Sequence, residues 1–346
     1  MHELVWELSR REKPASVLLQ LPLDGGALLA AFDPRAQGQV RWLAKTGYGE
    51  AACRRLRAEA RALTMLAGHA GRLHLPELVG FRESGTGNAA TACLVQSGMP
   101  GQIRIAAWSG RAWADFDPVT EAALSWLGAW QQTNLSPGPE RVSLAELGAR
   151  TATRADADME RFPQLAALLR WIPDLMSVGA VHNTAVAVHG DFWAGNLLLQ
   201  SRGWGWKLQL GGVVDWSGFG AGSALDDLLN WFTQLRCGPR RRRWEAAETW
   251  LRVLFCAGRP RQCLRLWAGQ VGYAPASARY AFYLFVARRL SWELGLDLQA
   301  RSMPERQQAR QKWSGVLAWL ARHGYPDPFS GGEIEAADSG GAGDRA

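Results

Sequence analysis

Cysteine is scarce in this sequence of 346 residues, and its five copies are scattered without CxxC or zinc-type spacing. An odd and dispersed set argues against a disulfide framework and is typical of a reducing compartment. No apolar run reaches the roughly 18 residues that a transmembrane helix needs. A basic start followed by an apolar stretch and a cleavage site is also missing, so we expect no signal peptide. The sequence therefore predicts a cytoplasmic protein without a membrane span.

Motifs of nucleic-acid-binding proteins and of serine hydrolases are missing as well. No Ser-His-Asp set stands out, and no nucleic-acid-binding module surrounds the arginine run from Arg240 to Arg243. Residues 231–326 nevertheless hold seventeen basic residues against five acidic ones. A solvated, arginine-rich helical surface is the simpler interpretation of this block, and an anionic partner is the alternative. We expect no nucleic-acid partner, and the role of the arginine run and the oligomeric state stay open.

The first hundred residues have the pattern of a small sheet with one helix. Short apolar runs broken by turn residues predict strands within residues 16–45. Residues 77–84 and 91–97 predict a further strand pair. Between these strands, residues 49–67 are rich in Ala, Leu, Arg and Glu and carry apolar side chains at helical spacing, which predicts a helix.

Helical periodicity dominates after residue 101. Three strands interrupt it within residues 185–216, and helices return from residue 224 to about residue 322. The helices before the strand cluster are predicted at residues 120–133, 143–150 and 162–176.

This order of elements predicts an α+β fold with two lobes. Residues 1–97 would form a small, strand-rich N-terminal lobe that binds a nucleotide, and residues 98–326 a larger, mostly helical lobe that holds the catalytic and acceptor sites. Residues 327–346 are rich in Gly and lack an apolar stripe, so we expect a disordered tail.

The segment "VHGDFWAGNLLL" at residues 188–199 interrupts an apolar run with His189, Asp191 and Asn196. Gly, Asp and Asn are common turn residues, so a hairpin turn is the simplest interpretation. The D-x-x-x-x-N spacing and a further carboxylate, Asp215 at the end of "GGVVD", favour a catalytic loop instead. Phosphoryl transfer needs a carboxylate that accepts the proton of the attacking hydroxyl and oxygen ligands that hold Mg²⁺ on the phosphates. We therefore predict a phosphoryl-transfer site.

The two segments "HGDFWAGNLLL" and "GVVDWSGFGAGSALDDLLNW" resemble the aminoglycoside phosphotransferase and choline kinase family, relatives of the protein kinases. The resemblance implies a two-lobed kinase-like fold, with ATP or GTP as co-substrate and Mg²⁺ as cofactor. It implies that Asp191 is the catalytic base, with His189 organising the same loop, and that Asn196 and Asp215 hold the metal. Asp227 matches a family aspartate that we expect to bind the backbone of the catalytic loop.

The resemblance also implies a lysine and a glutamate that position the nucleotide phosphates. Lys45 ends the apolar run "VRWLAK", and Glu59 borders the apolar stripe of the helix at residues 49–67. A carboxylate at such a position is costly to desolvate without a partner. We predict that Lys45 is that partner; the alternative is that both are ordinary surface charges.

The sequence lacks the G-x-G-x-x-G loop that covers the phosphates in protein kinases. The best substitute is "LDGGALLA", with Gly25 and Gly26 at the turn, although a plain hairpin explains these glycines equally well. Between the lobes, Gln96, Ser97, Gly98 and Met99 would meet the nucleotide base with their backbone groups, because such groups fix the orientation of a flat ring. A simple interlobe turn is the alternative there, and the choice between ATP and GTP stays open.

The charge of the C-terminal residues bears on the acceptor. A cationic acceptor calls for clustered carboxylates in its pocket, and the basic block at residues 231–326 offers few of them. We therefore predict a kinase that phosphorylates a hydroxyl of a small molecule, such as a sugar or sugar derivative. An aminoglycoside or choline-like amino alcohol is the alternative, for which Glu293 and Asp297 would line the pocket. The alternative of another class is a non-catalytic pseudokinase that only binds its ligands.

Overall fold

The computed structural model describes residues 17–23, 26–33, 39–103, 118–133, 142–159, 163–177, 184–201, 208–234, 254–255, 259–295 and 314–330. Its strands are β1 (Val17–Leu23), β2 (Gly26–Asp33), β3 (Gln39–Tyr48), β4 (Leu78–Ser84), β5 (Thr91–Ser97), β6 (Val186–Val188), β7 (Leu197–Ser201), β8 (Leu208–Val213) and β9 (Gly220–Gly222). Its α-helices are α1 (Glu50–Leu66), α2 (Ala70–Leu73), α3 (Pro118–Gln131), α4 (Leu144–Met159), α5 (Pro163–Ser177), α6 (Asp226–Gln234), α7 (Arg259–Gln270), α8 (Pro275–Gly295) and α9 (314–322). The sheet-rich N-terminal part and the helical C-terminal part confirm the predicted α+β class.

Strands β1 to β5 form one antiparallel sheet in the order β1-β2-β3-β5-β4. The predicted strands of the first hundred residues are therefore confirmed. Side chains alternate between the two faces of a strand. Lys45 lies opposite Leu94, and Leu43 lies opposite Gln96, so these four side chains belong to one face of the sheet.

Helix α1 covers that face of the sheet. Its side chains Leu56 and Ala60 pack with Ala92 and Leu94 of β5. Glu59 lies on the same buried side of the helix and is only 1% exposed. A carboxylate buried this deeply must have charged or hydrogen-bonding partners.

The C-terminal part packs its helices around an aromatic cluster. The rings of Trp126 and Trp130 on α3 stack with centroids 5.5 Å apart, and Phe192 stacks on Trp126 at 5.2 Å. Trp216 completes the cluster, 5.4 Å from Trp130. The three indole N–H groups donate to backbone carbonyls, those of Leu73, Ala187 and Val213. Because Phe192 and Trp216 lie next to two predicted site residues, this cluster anchors the loops that carry them.

Two short ladders, β7–β8 and β6–β9, hold the predicted strand cluster together. The prediction missed β9, since its Gly-Ala-Gly sequence has none of the β-branched or aromatic residues that indicate a strand. It pairs with β6, and this pairing brings the segment after Asp215 back beside the loop at residues 189–196.

The connection after β5 crosses the face of β8. A Cβ on Gly211 would overlap the Pro100 carbonyl oxygen, and one on Gly212 would lie 2.8 Å from the Met99 Cβ. Gln102 then exchanges two backbone hydrogen bonds with Leu199 of β7, each 2.9 Å long. The glycine pair in "GGVVD" is therefore explained by the close approach of this connection.

The predicted division at residues 97 and 98 stays a prediction. Residues 327–330, which we expected to begin a disordered tail, are bound to α7, because Arg261 donates to the carbonyls of Pro328 and Ser330. Residues 331–346 and the arginine run lie outside the described residues. No helix within the described part of the chain is long and apolar enough to cross a membrane.

Gly211→Ala is expected to destabilise the protein, because the added methyl must displace the Pro100 backbone. Forcing a methyl into packed space costs about 1–3 kcal/mol. Gly128→Ala is the matched control: Gly128 lies inside α3 with open space around its missing side chain. Replacing a helical Gly by Ala is expected to raise the free energy of unfolding by about 0.5–1 kcal/mol. Urea denaturation of both variants measures these changes, and equal midpoints would contradict the close approach of the connection.

Candidate active site

Lys45, Glu59 and Asp215 form a charge cluster that joins the N-terminal sheet to the C-terminal part. Lys45 Nζ donates to Glu59 Oε1 at 2.7 Å and to Oε2 at 2.9 Å. The same Nζ lies 3.7 Å from Asp215 Oδ1. Asp215 is the exposed member, with a side chain that is 44% exposed. The cluster thus has a buried end at Glu59 and an open end at Asp215.

The electrostatics of this cluster favour an ionised lysine between two carboxylates. Burial acts to lower the pKa of Lys45, but the charges of Glu59 and Asp215 outweigh it and raise the pKa above its ordinary value. Burial acts to raise the pKa of Asp215, yet the Lys45 ammonium reverses this and leaves the pKa lowered. Asp215 is therefore an ionised carboxylate at neutral pH, which is the state that can ligate a cation.

The loop that carries Asp191 is held by a carboxylate beneath it. Asp227 at the start of α6 accepts the backbone N–H of His189 at 2.8 Å and that of Gly190 at 3.0 Å. The predicted role of Asp227 as a support of this loop is confirmed. Gly190 has φ +82°, and a Cβ there would overlap the Gly218 carbonyl oxygen. Only glycine combines that conformation with this approach.

His189 has both ring nitrogens in contact with the backbone. The Asp191 N–H donates to Nδ1 at 3.3 Å, so the proton of the neutral ring lies on Nε2, which donates to the Val214 carbonyl at 3.1 Å. The side chain is fully buried, and burial lowers its pKa. The imidazole is therefore neutral and links the Asp191 loop to the residue before Asp215.

Asn196 lies where the Asp191 loop enters β7. Its Nδ2 donates to the Asp191 carbonyl at 2.8 Å, and its own carbonyl accepts the Val214 N–H at 3.0 Å. This second bond extends the β7–β8 ladder by one pair and brings Asp215 beside Asn196. Asp215 itself has φ +65°, a left-handed conformation that is uncommon for an aspartate and turns the chain sharply after β8. Such strain is most often found at functional sites.

A sequence model of a family described as "Phosphotransferase enzyme family" matches residues 33–261, about two thirds of the chain. The chain belongs to this family. The predicted resemblance to the aminoglycoside phosphotransferase and choline kinase family is confirmed, and the protein is a phosphotransferase. No curated protein shows a significant sequence match to it.

Solved structures with the kinase-like fold match this phosphotransferase over most of its length. A protein of Ralstonia eutropha JMP134, provisionally assigned as an aminoglycoside phosphotransferase, has a TM-score of 0.55 at 14% identity and covers 91% of this chain and 98% of its own. The GDP complex of aminoglycoside 2'-phosphotransferase-IIIa has a TM-score of 0.55 at 14% identity, covering 92% and 98%. An ethanolamine kinase of Plasmodium vivax reaches 0.51 at 10% identity, covering 92% and 88%. These likenesses confirm the fold.

Two residues of the phosphotransferase that the prediction missed also contact the Asp191 loop. Asn230, one turn after Asp227 on α6, donates from Nδ2 to the Phe192 carbonyl at 3.2 Å. Arg289 on α8 donates from Nη1 to Asn230 Oδ1 at 3.1 Å, and the same nitrogen lies 3.5 Å from Asp191 Oδ1. The i, i+3 spacing of Asp227 and Asn230 indicated a shared helix face, but nothing in the sequence signalled Arg289.

The turn between β1 and β2 was the predicted phosphate cover. Gly25 lies outside the described residues, whereas Gly26 closes the hairpin opposite Leu23. A Cβ on Gly26 would overlap the Thr46 carbonyl oxygen of β3. The contact between β2 and β3 therefore suffices to explain Gly26, and its role toward a phosphate stays a prediction.

In the segment that joins the N-terminal sheet to the C-terminal part, several backbone groups already form hydrogen bonds within the protein. The Ser97 N–H donates to the Glu77 carbonyl at 2.8 Å, and the Gly98 N–H donates to the Arg41 carbonyl at 2.7 Å. A nucleotide base would therefore have to meet backbone groups other than these two N–H groups. The Gln96 side chain lies on the same sheet face as Lys45, and its Oε1 is buried and has no hydrogen-bond partner among the described residues.

The stability of the protein should depend on pH through Asp227. Burial raises the pKa of Asp227 to about 7, against about 3.9 for an unfolded aspartate. The folded state therefore binds this proton more tightly than the unfolded state does. The resulting stabilisation is fully present below about pH 4 and is lost as the pH rises through 7. Asp227→Asn cannot titrate.

We therefore expect the difference in the free energy of unfolding, wild type minus Asp227→Asn, to decrease as the pH rises from 5 to 8. The slope can reach about 1.4 kcal/mol per pH unit. Urea denaturation of both proteins at each pH measures the difference. A difference that stays constant over this range would show that Asp227 titrates below pH 5.

Proposed function

We propose that this phosphotransferase transfers the γ-phosphoryl group of ATP or GTP, with Mg²⁺, to a hydroxyl of a small neutral or anionic acceptor such as a sugar or sugar derivative. The observation that carries the proposal is the pairing of Lys45 with Glu59 within reach of Asp215, beside the loop of Asp191 and Asn196. A lysine held by a glutamate is the arrangement that positions nucleotide phosphates in kinases.

In the proposed reaction the acceptor hydroxyl oxygen forms a bond to the γ-phosphorus, and the bond from that phosphorus to the bridging oxygen breaks. The products are a phosphate monoester and a nucleoside diphosphate. The hydroxyl proton moves to the carboxylate of Asp191, whose side chain is 29% exposed and thus accessible to a ligand. General-base assistance of this kind contributes typically 10²–10⁴-fold to a rate.

The residues at the open end of the charge cluster fit Mg²⁺ together with a nucleotide. Among the described residues no group of three or more His, Cys, Asp or Glu side chains could hold a metal by itself. Mg²⁺ is commonly held by one or two protein ligands plus substrate phosphates and water. The ionised carboxylate of Asp215 and the amide oxygen of Asn196, whose Nδ2 already faces the Asp191 carbonyl, would supply the protein ligands. Bound there, the metal would neutralise charge on the phosphates.

The charges around Asp191 support a neutral or anionic acceptor. The acceptor hydroxyl must lie against Asp191, and the guanidinium of Arg289 lies 3.5 Å from that carboxylate. A cationic substituent on the Arg289 side of the hydroxyl would meet a like charge, whereas a neutral one would not and an anionic one could pair with the guanidinium. The side chains of Glu293 and Asp297, which would serve a cationic acceptor, lie outside what the structure describes. An aminoglycoside or choline-like kinase is therefore kept as the second candidate.

A phosphorylation screen read out by mass tests the acceptor class. Galactose, galacturonate and galactosamine form a matched series that varies charge on one sugar frame, and kanamycin and choline represent the second candidate. With Mg²⁺ and ATP or GTP, we expect turnover of neutral or anionic members and little of the amines. Rapid turnover of kanamycin with the neutral sugars untouched would contradict the proposal.

Two substitutions test the proposed catalytic base and the proposed metal ligand separately. Asp191→Asn should lower kcat by roughly 10²-fold or more, as loss of a general base does, while the Kd of the Mg²⁺-nucleotide changes little. Asp215→Ala should instead weaken Mg²⁺-dependent nucleotide binding, because it removes a metal ligand. Hydrolysis assays and nucleotide titrations followed by thermal shift measure both. If millimolar Mg²⁺-nucleotide gives no thermal shift of the wild type, the proposed function is wrong and a non-catalytic role becomes the better account.

A further inference from the structure

Helices α6 and α8 hold the Asp191 loop from one side. Asp227 of α6 binds the backbone of the loop before Asp191, and Asn230 binds it after Asp191, at the Phe192 carbonyl. These contacts fix the backbone of the loop but leave the orientation of the Asp191 carboxylate to its own χ angles. Arg289 of α8 does contact this carboxylate.

Arg289 is itself held in place. Its side chain is only 9% exposed, and Nη1 donates to Asn230 Oδ1 at 3.1 Å while lying 3.5 Å from Asp191 Oδ1. The neighbouring Arg288 shows what a structural arginine of α8 does: it pairs with the buried Asp226 and donates to the Ala221 carbonyl at 2.8 Å. Asp226 is 9% exposed, whereas Asp191 is 29% exposed and is open to a ligand. Arg289 thus places a positive charge beside a carboxylate that is partly exposed.

We propose that Arg289 is a positioning residue for phosphoryl transfer, which fixes Asp191 through its Oδ1 so that Oδ2 meets the acceptor hydroxyl. This inference rests on the proposed function, in which Asp191 is the base. Positioned groups contribute because a small misplacement of a base relative to its proton lowers the rate strongly. The hydrogen bond from Arg289 Nη1 to Asn230 Oδ1 holds that nitrogen beside Asp191 Oδ1, whereas a lysine ammonium at this position would end one bond short of it.

The test measures Mg²⁺-dependent hydrolysis of ATP and GTP with water as the acceptor, so that no acceptor needs to be known. The proteins compared are the wild type, Arg289→Gln, Arg289→Lys and Asp191→Asn. Arg265→Gln, an exposed arginine of α7, is the matched control. Thermal unfolding establishes that each variant is folded. The readout is the split between kcat and the KM of the nucleotide.

We expect Arg289→Gln to lower kcat at least tenfold while the nucleotide KM stays within about twofold, since the Lys45 end of the site is untouched. Arg289→Lys keeps the positive charge on a shorter side chain that does not reach the position of Nη1, so its kcat should lie several-fold below that of the wild type and above that of Arg289→Gln. Arg265→Gln should match the wild type. A general loss of structure would instead change KM and kcat together and lower the unfolding temperature.

An unchanged kcat in folded Arg289→Gln would overturn the inference, and so would a lysine variant no better than the glutamine one. If Arg289→Gln does not fold, Arg289→Lys decides: a several-fold loss of kcat at constant KM supports the inference, and wild-type kcat overturns it. A wild type that hydrolyses no faster than Asp191→Asn is a different failure, because it removes the proposed function itself.

Discussion

The burial of Glu59 is the constraint on which the site depends. A carboxylate that is 1% exposed between α1 and the sheet is tolerable only with a cation beside it. Lys45 satisfies it with two hydrogen bonds, and its ammonium then has a defined position from which it reaches Asp215. One buried charge therefore ties strand β3, helix α1 and the turn after β8 together.

A second support comes from helix α6, on the far side of the site. Asp227 and Asn230 lie one turn apart and bind the Asp191 loop before and after the aspartate. The aromatic cluster around Trp126 backs the same loop through Phe192. The exposed carboxylates at Asp191 and Asp215 are thus presented by backbone that is held on the buried side. A reactive site on a loop requires this combination of held backbone and accessible side chains, because positioned groups must resist motion while remaining open to ligands.

Much of this could be predicted from local pattern. Apolar runs and helical spacing suffice for the sheet and for α1, and the spacing of Asp191, Asn196 and Asp215 suffices for the reaction class. Strand β9 could not be predicted, since glycine and alanine have no strand preference and the pairing is made by a partner more than thirty residues away. The order within residues 327–330 was equally hidden, because Arg261, some sixty-seven residues earlier, provides it.

The amino-acid sequence by itself determined the class of fold and the phosphotransferase family and pointed to the carboxylates and the lysine of the candidate site, because these depend on short motifs and local periodicity. Tertiary structure alone decided that Arg289 contacts Asp191, that His189 is a neutral link to Val214, and that the glycines before Val213 admit the crossing connection. The physical reason is the same in each case. These features are contacts between segments far apart in the chain, and no local pattern of side chains encodes where a distant segment will pack.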